Sequence, residues 1–143
     1  MAIIYFDASA FVKLVVEEDG SDLAARLWDG CDAALSSRLA YPEVRAALAA
    51  AGRNQQLSAR DLASAEEGWE EFWAATRPVE LTEAVGRHAG SLAGAHGLRG
   101  ADAVHLASAL AIGDPELVVA AWDERLRDGA HASELRVAPA PNG

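Results

Sequence analysis

Two apolar runs in this chain end directly on an aspartate. Ala2-Ile3-Ile4-Tyr5-Phe6 leads into Asp7, and Leu117-Val118-Val119-Ala120-Ala121-Trp122 leads into Asp123. Both runs are short, unbroken and rich in β-branched or aromatic residues, the pattern of strands buried on both faces. Helical patterns and weaker strand signals alternate between them. Parallel strands need helical crossovers, so this order predicts an α/β fold: a mostly parallel central sheet of about four to five strands, flanked by helices. Sites in such folds open at the carboxyl ends of the strands, and Asp7 and Asp123 stand on that edge.

The remaining elements follow from periodicity and capping signals. Residues 8–16 read as helix, and Gly20-Ser21-Asp22 opens a second helix through Trp28. Residues 33–35 form a weak strand ending at Ser36-Ser37. An alanine-rich helix covers 38–53, with Leu39, Val44, Leu48 and Ala51 facing inward; Pro42 either kinks it or marks its true start. Ser58 followed by Asp61 resembles a capping box and opens a helix to about residue 76. Along it Trp69, Phe72 and Trp73 make a stripe at helical spacing, read first as core. Residues 78–81 form a short strand, Thr82 caps a helix to about residue 97, and 101–112 are helical. Residues 124–127 form a short helix and 135–138 a last edge strand. Residues 1–138 thus read as a single domain, and 139–143 as a flexible tail.

A chain of 143 residues with 51% hydrophobic and 24% charged residues can bury one core without staples. Its apolar stretches are too short to span a membrane, and no secretory signal opens it, so the expected location is cytoplasmic. Cys31 is the single cysteine, which leaves no internal disulfide and reads as a small buried residue. A net charge of −10 argues against holding nucleic acid by bulk electrostatics. An enzyme that engages phosphate through bound metal and a few arginines stays compatible with it, as does a basic partner.

The residues able to carry chemistry are mainly acids. Asp7, in Asp7-Ala8-Ser9, reads either as a metal ligand assisted by the Ser9 hydroxyl or as a helix cap. Glu43 and Asp102 fall in the first turns of helices, where an anion is stabilised by the helix dipole whatever else it does. Asp102 shares a face with His105, Leu106 and Ala109 that is otherwise apolar, which points it toward the protein or a cleft. Asp123 reads as a ligand or an N-cap. If the fold gathers these acids, two carboxylates about 4 Å apart repel by roughly 4 kcal/mol at an effective dielectric of about 20. A hard divalent cation or proton sharing relieves that. His88, His96, His105 and His131 lack zinc-ligand spacing, and His105 reads as a satisfied core histidine. There is no nucleophile elbow, Walker loop or dinucleotide fingerprint.

Taken together, Tyr5-Phe6-Asp7-Ala8-Ser9-Ala10, Tyr41-Pro42-Glu43-Val44-Arg45, the segment Arg99-Gly100-Ala101-Asp102-Ala103-Val104-His105-Leu106-Ala107, and Trp122-Asp123-Glu124-Arg125-Leu126 resemble the PIN-domain ribonucleases. The resemblance is greatest to the VapC-type toxins of bacterial toxin–antitoxin pairs, and extends from Ile3 to about Val137. It implies a PIN-like three-layer sandwich and a metal-dependent endoribonuclease. It also implies Mg²⁺ or Mn²⁺ held by Asp7, Glu43, Asp102 and Asp123, with Ser9 in support. Arg45, Arg99 and Arg125 are then candidates to hold RNA phosphates, or else pair with surface acids. The implied partners are RNA, a VapB-type antitoxin and a second copy in a homodimer. An antitoxin arginine entering the acidic pocket would displace the metal. Two departures stand out: Ala121, where relatives often carry a hydroxyl, and Gly100-Ala101, in place of a bulkier pair. The alternative is a catalytically weak or silent PIN-like interaction module. A receiver-like domain fits less well, since a single acid follows the first strand, and an aspartyl phosphatase would need a second aspartate at residue 9.

Overall fold

The computed structural model describes residues 1–141; Asn142 and Gly143, the end of the anticipated tail, lie outside the described residues. Its strands are β1 (Ile3–Phe6), β2 (Ala33–Ser37), β3 (Arg77–Val79), β4 (Val118–Ala120) and β5 (Arg136–Ala138). They form one sheet in the order β3-β2-β1-β4-β5, with every pairing parallel. The helices are α1 (Ala8–Val15), α2 (Ser21–Gly30), α3 (Ala40–Arg53), α4 (Ala59–Ala74), α5 (Glu83–His96), α6 (Gly100–Ile112) and α7 (Glu124–Ala132).

Alternation along the central strands sorts the core into two layers, because successive strand side chains point to opposite faces. Tyr5 and Val119 join Leu92, Leu106 and Leu126 in the layer built with α5, α6 and α7. Ile4, Phe6, Ala34 and Ala120 join Phe11, Leu48 and Trp69 in the layer built with α1, α3 and α4. The result is the α/β three-layer sandwich that the sequence predicts. Phe11 lies against Trp69, with ring centroids 4.8 Å apart, and Phe72 and Trp73 pack against the same cluster. The tryptophan stripe is core.

Several boundaries move, each for a physical reason. β2 continues through Ser36 and Ser37, where the sequence suggests its end. Pairing with β3 satisfies its backbone, and the Ser36 hydroxyl donates to the Phe6 carbonyl at 2.5 Å. β3 begins at Arg77 rather than at Pro78; Pro78 lacks an N–H but is tolerated on an edge strand. Pro42 lies in the first turn of α3, where its missing N–H costs no intrahelical bond. α7 runs on to Ala132 rather than ending near Arg127, because Leu126, Gly129 and Ala130 carry its buried face. Arg127 also clamps the end of the sheet, donating to the carbonyls of Ala121 at 2.9 Å and Pro139 at 2.7 Å.

The topology sets the site. From β1 the chain winds outward through β2 to β3, then returns through α5 and α6 to place β4 on the other side of β1. Winding therefore reverses between β1 and β4, and a crevice opens at their carboxyl ends. Asp7 lies at this point, its N–H donating to the Ala120 carbonyl at 3.2 Å.

Candidate active site

Asp7 is both cap and candidate ligand. Its Oδ1 accepts the Ala10 N–H at 2.9 Å and the Ser9 hydroxyl at 2.7 Å. Ser9 Oγ in turn accepts the Trp122 N–H at 3.0 Å, tying the loop after β1 to the loop after β4. Asp7 is 4% exposed. Burial drives its carboxyl above the ordinary aspartate range; the neighbouring His105 and the hydrogen bonds from Ser9 and Ala10 oppose that rise, and the Glu43 carboxylate adds to it.

Asp123 caps α7, with Oδ1 accepting the Leu126 N–H at 3.1 Å. Its Oδ2 accepts from Arg99 Nη2 at 3.1 Å, while Arg99 Nε donates to Asp102 Oδ2 at the same distance. Asp102 is buried in the first turn of α6. Glu43, in the first turn of α3, receives His105 Nε2 on its Oε1 at 2.5 Å. His105 lies one turn beyond Asp102 on α6, so that helix carries one side chain to Asp123 by way of Arg99 and another to Glu43.

All four predicted acids thus meet the same edge of the sheet. Asp123 has both oxygens engaged. Asp7 Oδ2, Glu43 Oε2 and Asp102 Oδ1 accept no hydrogen bond among the described residues. The donors are all hard oxygens, the set that Mg²⁺ and Mn²⁺ take. As the side chains stand, however, no three acidic, imidazole or thiol groups among the described residues converge closely enough to hold a metal ion.

The predicted arginines separate. Arg99 lies in the pocket. Arg45 turns to α4, where it pairs with Glu66 at 3.3 Å and Glu70 at 3.1 Å. Arg125 is exposed and has no ion pair among the described residues. Ala121 is fully buried in the layer under α6 and α7, so its methyl group packs in the core. Sequence reasoning placed His105 in the core and did not connect it to Glu43. It missed Tyr5 altogether: the hydroxyl bonds His105 Nδ1 at 2.7 Å and accepts the Ser37 N–H at 3.0 Å. The available signal was the shared helical face of Asp102 and His105.

Comparison with known proteins agrees with the fold. The PIN domain family model matches residues 4–132. Ribonuclease VapC45 and Ribonuclease VapC49, from two strains of Mycobacterium tuberculosis, are each 74% identical over 140 residues, covering 98% of this chain and 97% of the relative. Among solved structures, VapC20 of M. tuberculosis, described as a sarcin-ricin loop cleaving toxin, superposes with a TM-score of 0.68. It is 20% identical, with 93% of this chain and 98% of that one covered. FitAcB from Neisseria gonorrhoeae gives 0.67 at 20% identity, with 94% and 95% covered. At these identities the two structures speak for the fold, whereas the family match and the 74% relatives speak for descent. The chain belongs to the PIN-domain family and, within it, to the VapC branch.

Proposed function

We propose that this protein is a metal-dependent endoribonuclease, the toxin of a toxin–antitoxin pair, that hydrolyses RNA phosphodiester bonds. The observation that supports this is four carboxylates at the carboxyl-end edge of the sheet, with Arg99 bridging Asp102 and Asp123, Glu43 near enough to Asp7 to raise its pKa, and one oxygen each of Asp7, Glu43 and Asp102 without a hydrogen bond among the described residues. The names of the 74% identical relatives support the same activity.

Asp7 and Asp102 would hold Mg²⁺ or Mn²⁺ with Glu43, and Asp123 would join directly or through water once Arg99 lets go. The bound ion would neutralise phosphoryl charge and acidify an attacking water. The chain supplies the rest. Asp7 is fixed by Ala10 and Ser9, so its Oδ2 does not wander. Glu43 Oε2 would order or deprotonate a water. Arg99, once free of the acids, would offer a bidentate donor for phosphate. A VapB-type antitoxin completes the reading, and homodimerisation is part of it, to be checked by light scattering.

The test is cleavage of total RNA by the purified, partner-free protein with Mg²⁺ or Mn²⁺, against EDTA and against Asp102→Asn. Discrete fragments that require metal and vanish in the variant are expected. Absence of cleavage by folded protein with either ion would sink the enzyme and favour the interaction module.

A further inference from the structure

A chain of hydrogen bonds starts in the core and ends on Glu43. The Ser37 N–H donates to the Tyr5 oxygen at 3.0 Å, that hydroxyl meets His105 Nδ1 at 2.7 Å, and His105 Nε2 meets Glu43 Oε1 at 2.5 Å. Tyr5 is fully buried and His105 is 3% exposed, while the Glu43 side chain is 27% exposed. The rings of Tyr5 and His105 meet edge-on, centroids 5.8 Å apart.

The Tyr5 oxygen accepts from Ser37 and shares a hydrogen bond with Nδ1, while Nε2 shares one with Glu43 Oε1, so the imidazole is held at both ring nitrogens. With Nδ1 as acceptor, the hydrogen on Nε2 is donated to the carboxylate. We propose that Tyr5 and His105 are positioning residues that lock one oxygen of Glu43 and present the other, Oε2, to metal or water. Buried partners of this kind orient ligating side chains that would otherwise sample several rotamers. Glu43 needs such help more than the others, since Asp7 and Asp123 are held by helix-cap bonds. This role rests on the metal-site reading above and goes beyond it, because neither residue would touch metal or RNA.

The test is titration of Mn²⁺ into the full-length chain without RNA or partner, followed by electron paramagnetic resonance, with thermal melts alongside. Tyr5→Phe, His105→Leu and His105→Gln are compared in the wild-type and Glu43→Ala backgrounds. Tyr5→Phe and His105→Leu are expected to weaken Mn²⁺ binding roughly 10- to 100-fold. His105→Gln, whose amide N–H reaches about where Nε2 stood, should recover most of it. In the Glu43→Ala background none of the three should matter further, since coupled residues are non-additive. Equal losses in both backgrounds, or lowered melting with unchanged Mn²⁺ affinity, would reduce Tyr5 and His105 to core residues. If Tyr5→Phe does not fold, the contrast between His105→Gln and His105→Leu decides. Folded wild type that binds no Mn²⁺ would instead remove the metal site itself, an outcome distinct from losses confined to variants.

Discussion

Arg99 and Asp123, 24 positions apart in sequence, meet through a 3.1 Å contact between Nη2 and Oδ2, and the same guanidinium holds Asp102 at 3.1 Å. A cation thus already links two of the four pocket carboxylates and offsets their repulsion. The Arg99 side chain is 63% exposed, so solvent screens the pairing and release is easy.

That arrangement makes Arg99 a competitor for metal. Arg99→Gln should tighten Mn²⁺ binding roughly two- to fivefold, the range of an exposed ion pair. The gain should shrink as salt rises. Calorimetric titration at two ionic strengths checks it, and weaker binding by the variant would show that the arginine does not compete.

Asp7 gives a pH signature. Burial raises its folded-state pKa above the unfolded value, so its favourable contribution is complete below the unfolded pKa and is lost as pH rises through the folded one. Near neutral pH, well above the unfolded pKa, the group therefore opposes folding unless a cation is bound. Asp7→Asn keeps acceptors for Ala10 and Ser9, and should raise the melting temperature of the metal-free protein by a few degrees near pH 7. The advantage should vanish toward about pH 4. Added Mn²⁺ should stabilise the wild type and leave the variant unmoved.

Ser9 joins two loops. Removing its hydroxyl leaves the Trp122 N–H without its partner and takes one hydrogen bond from Asp7. Ser9→Ala should cost about 1–3 kcal/mol in urea unfolding, together with lower cleavage. Ser9→Thr, which keeps the hydroxyl, should behave nearly as wild type; a stable Ser9→Ala would mean that water replaces the bond.

Tyr5 gives the alkaline counterpart. Its folded-state pKa lies above the unfolded one, so stability is intact below about pH 10 and falls as pH rises beyond it. The slope for this one proton is about 1.4 kcal/mol per pH unit. Tyr5→Phe should flatten the stability curve by about 1 kcal/mol in denaturant melts between about pH 10 and 11. Parallel curves would place the phenol in contact with water.

Much of this was legible in the chain. The runs before Asp7 and Asp123 announced central parallel strands, because a strand covered on both faces has no polar positions to interrupt it. Ser58 and Thr82 announced helix starts that the structure confirms, with hydrogen bonds to Asp61 and Val85. The end of β2 and the length of α7 were not legible. Ser36 and Ser37 are strand residues because β3 pairs beside them, and α7 persists because Leu98 and Leu106 cover Gly129.

Local pattern by itself determined the strands, most helix starts and the acids at the strand ends, since these depend on side-chain periodicity and on backbone groups a few residues away. Only the tertiary structure decided which oxygen of each acid is engaged. Arg99 with Asp123, Ser9 with Trp122, and His105 with Tyr5 and Glu43 are contacts 24, 113, 100 and 62 positions apart. Such pairings arise from how the crossovers stack α3, α6 and α7 around one crevice, and spacing along the chain carries no record of them.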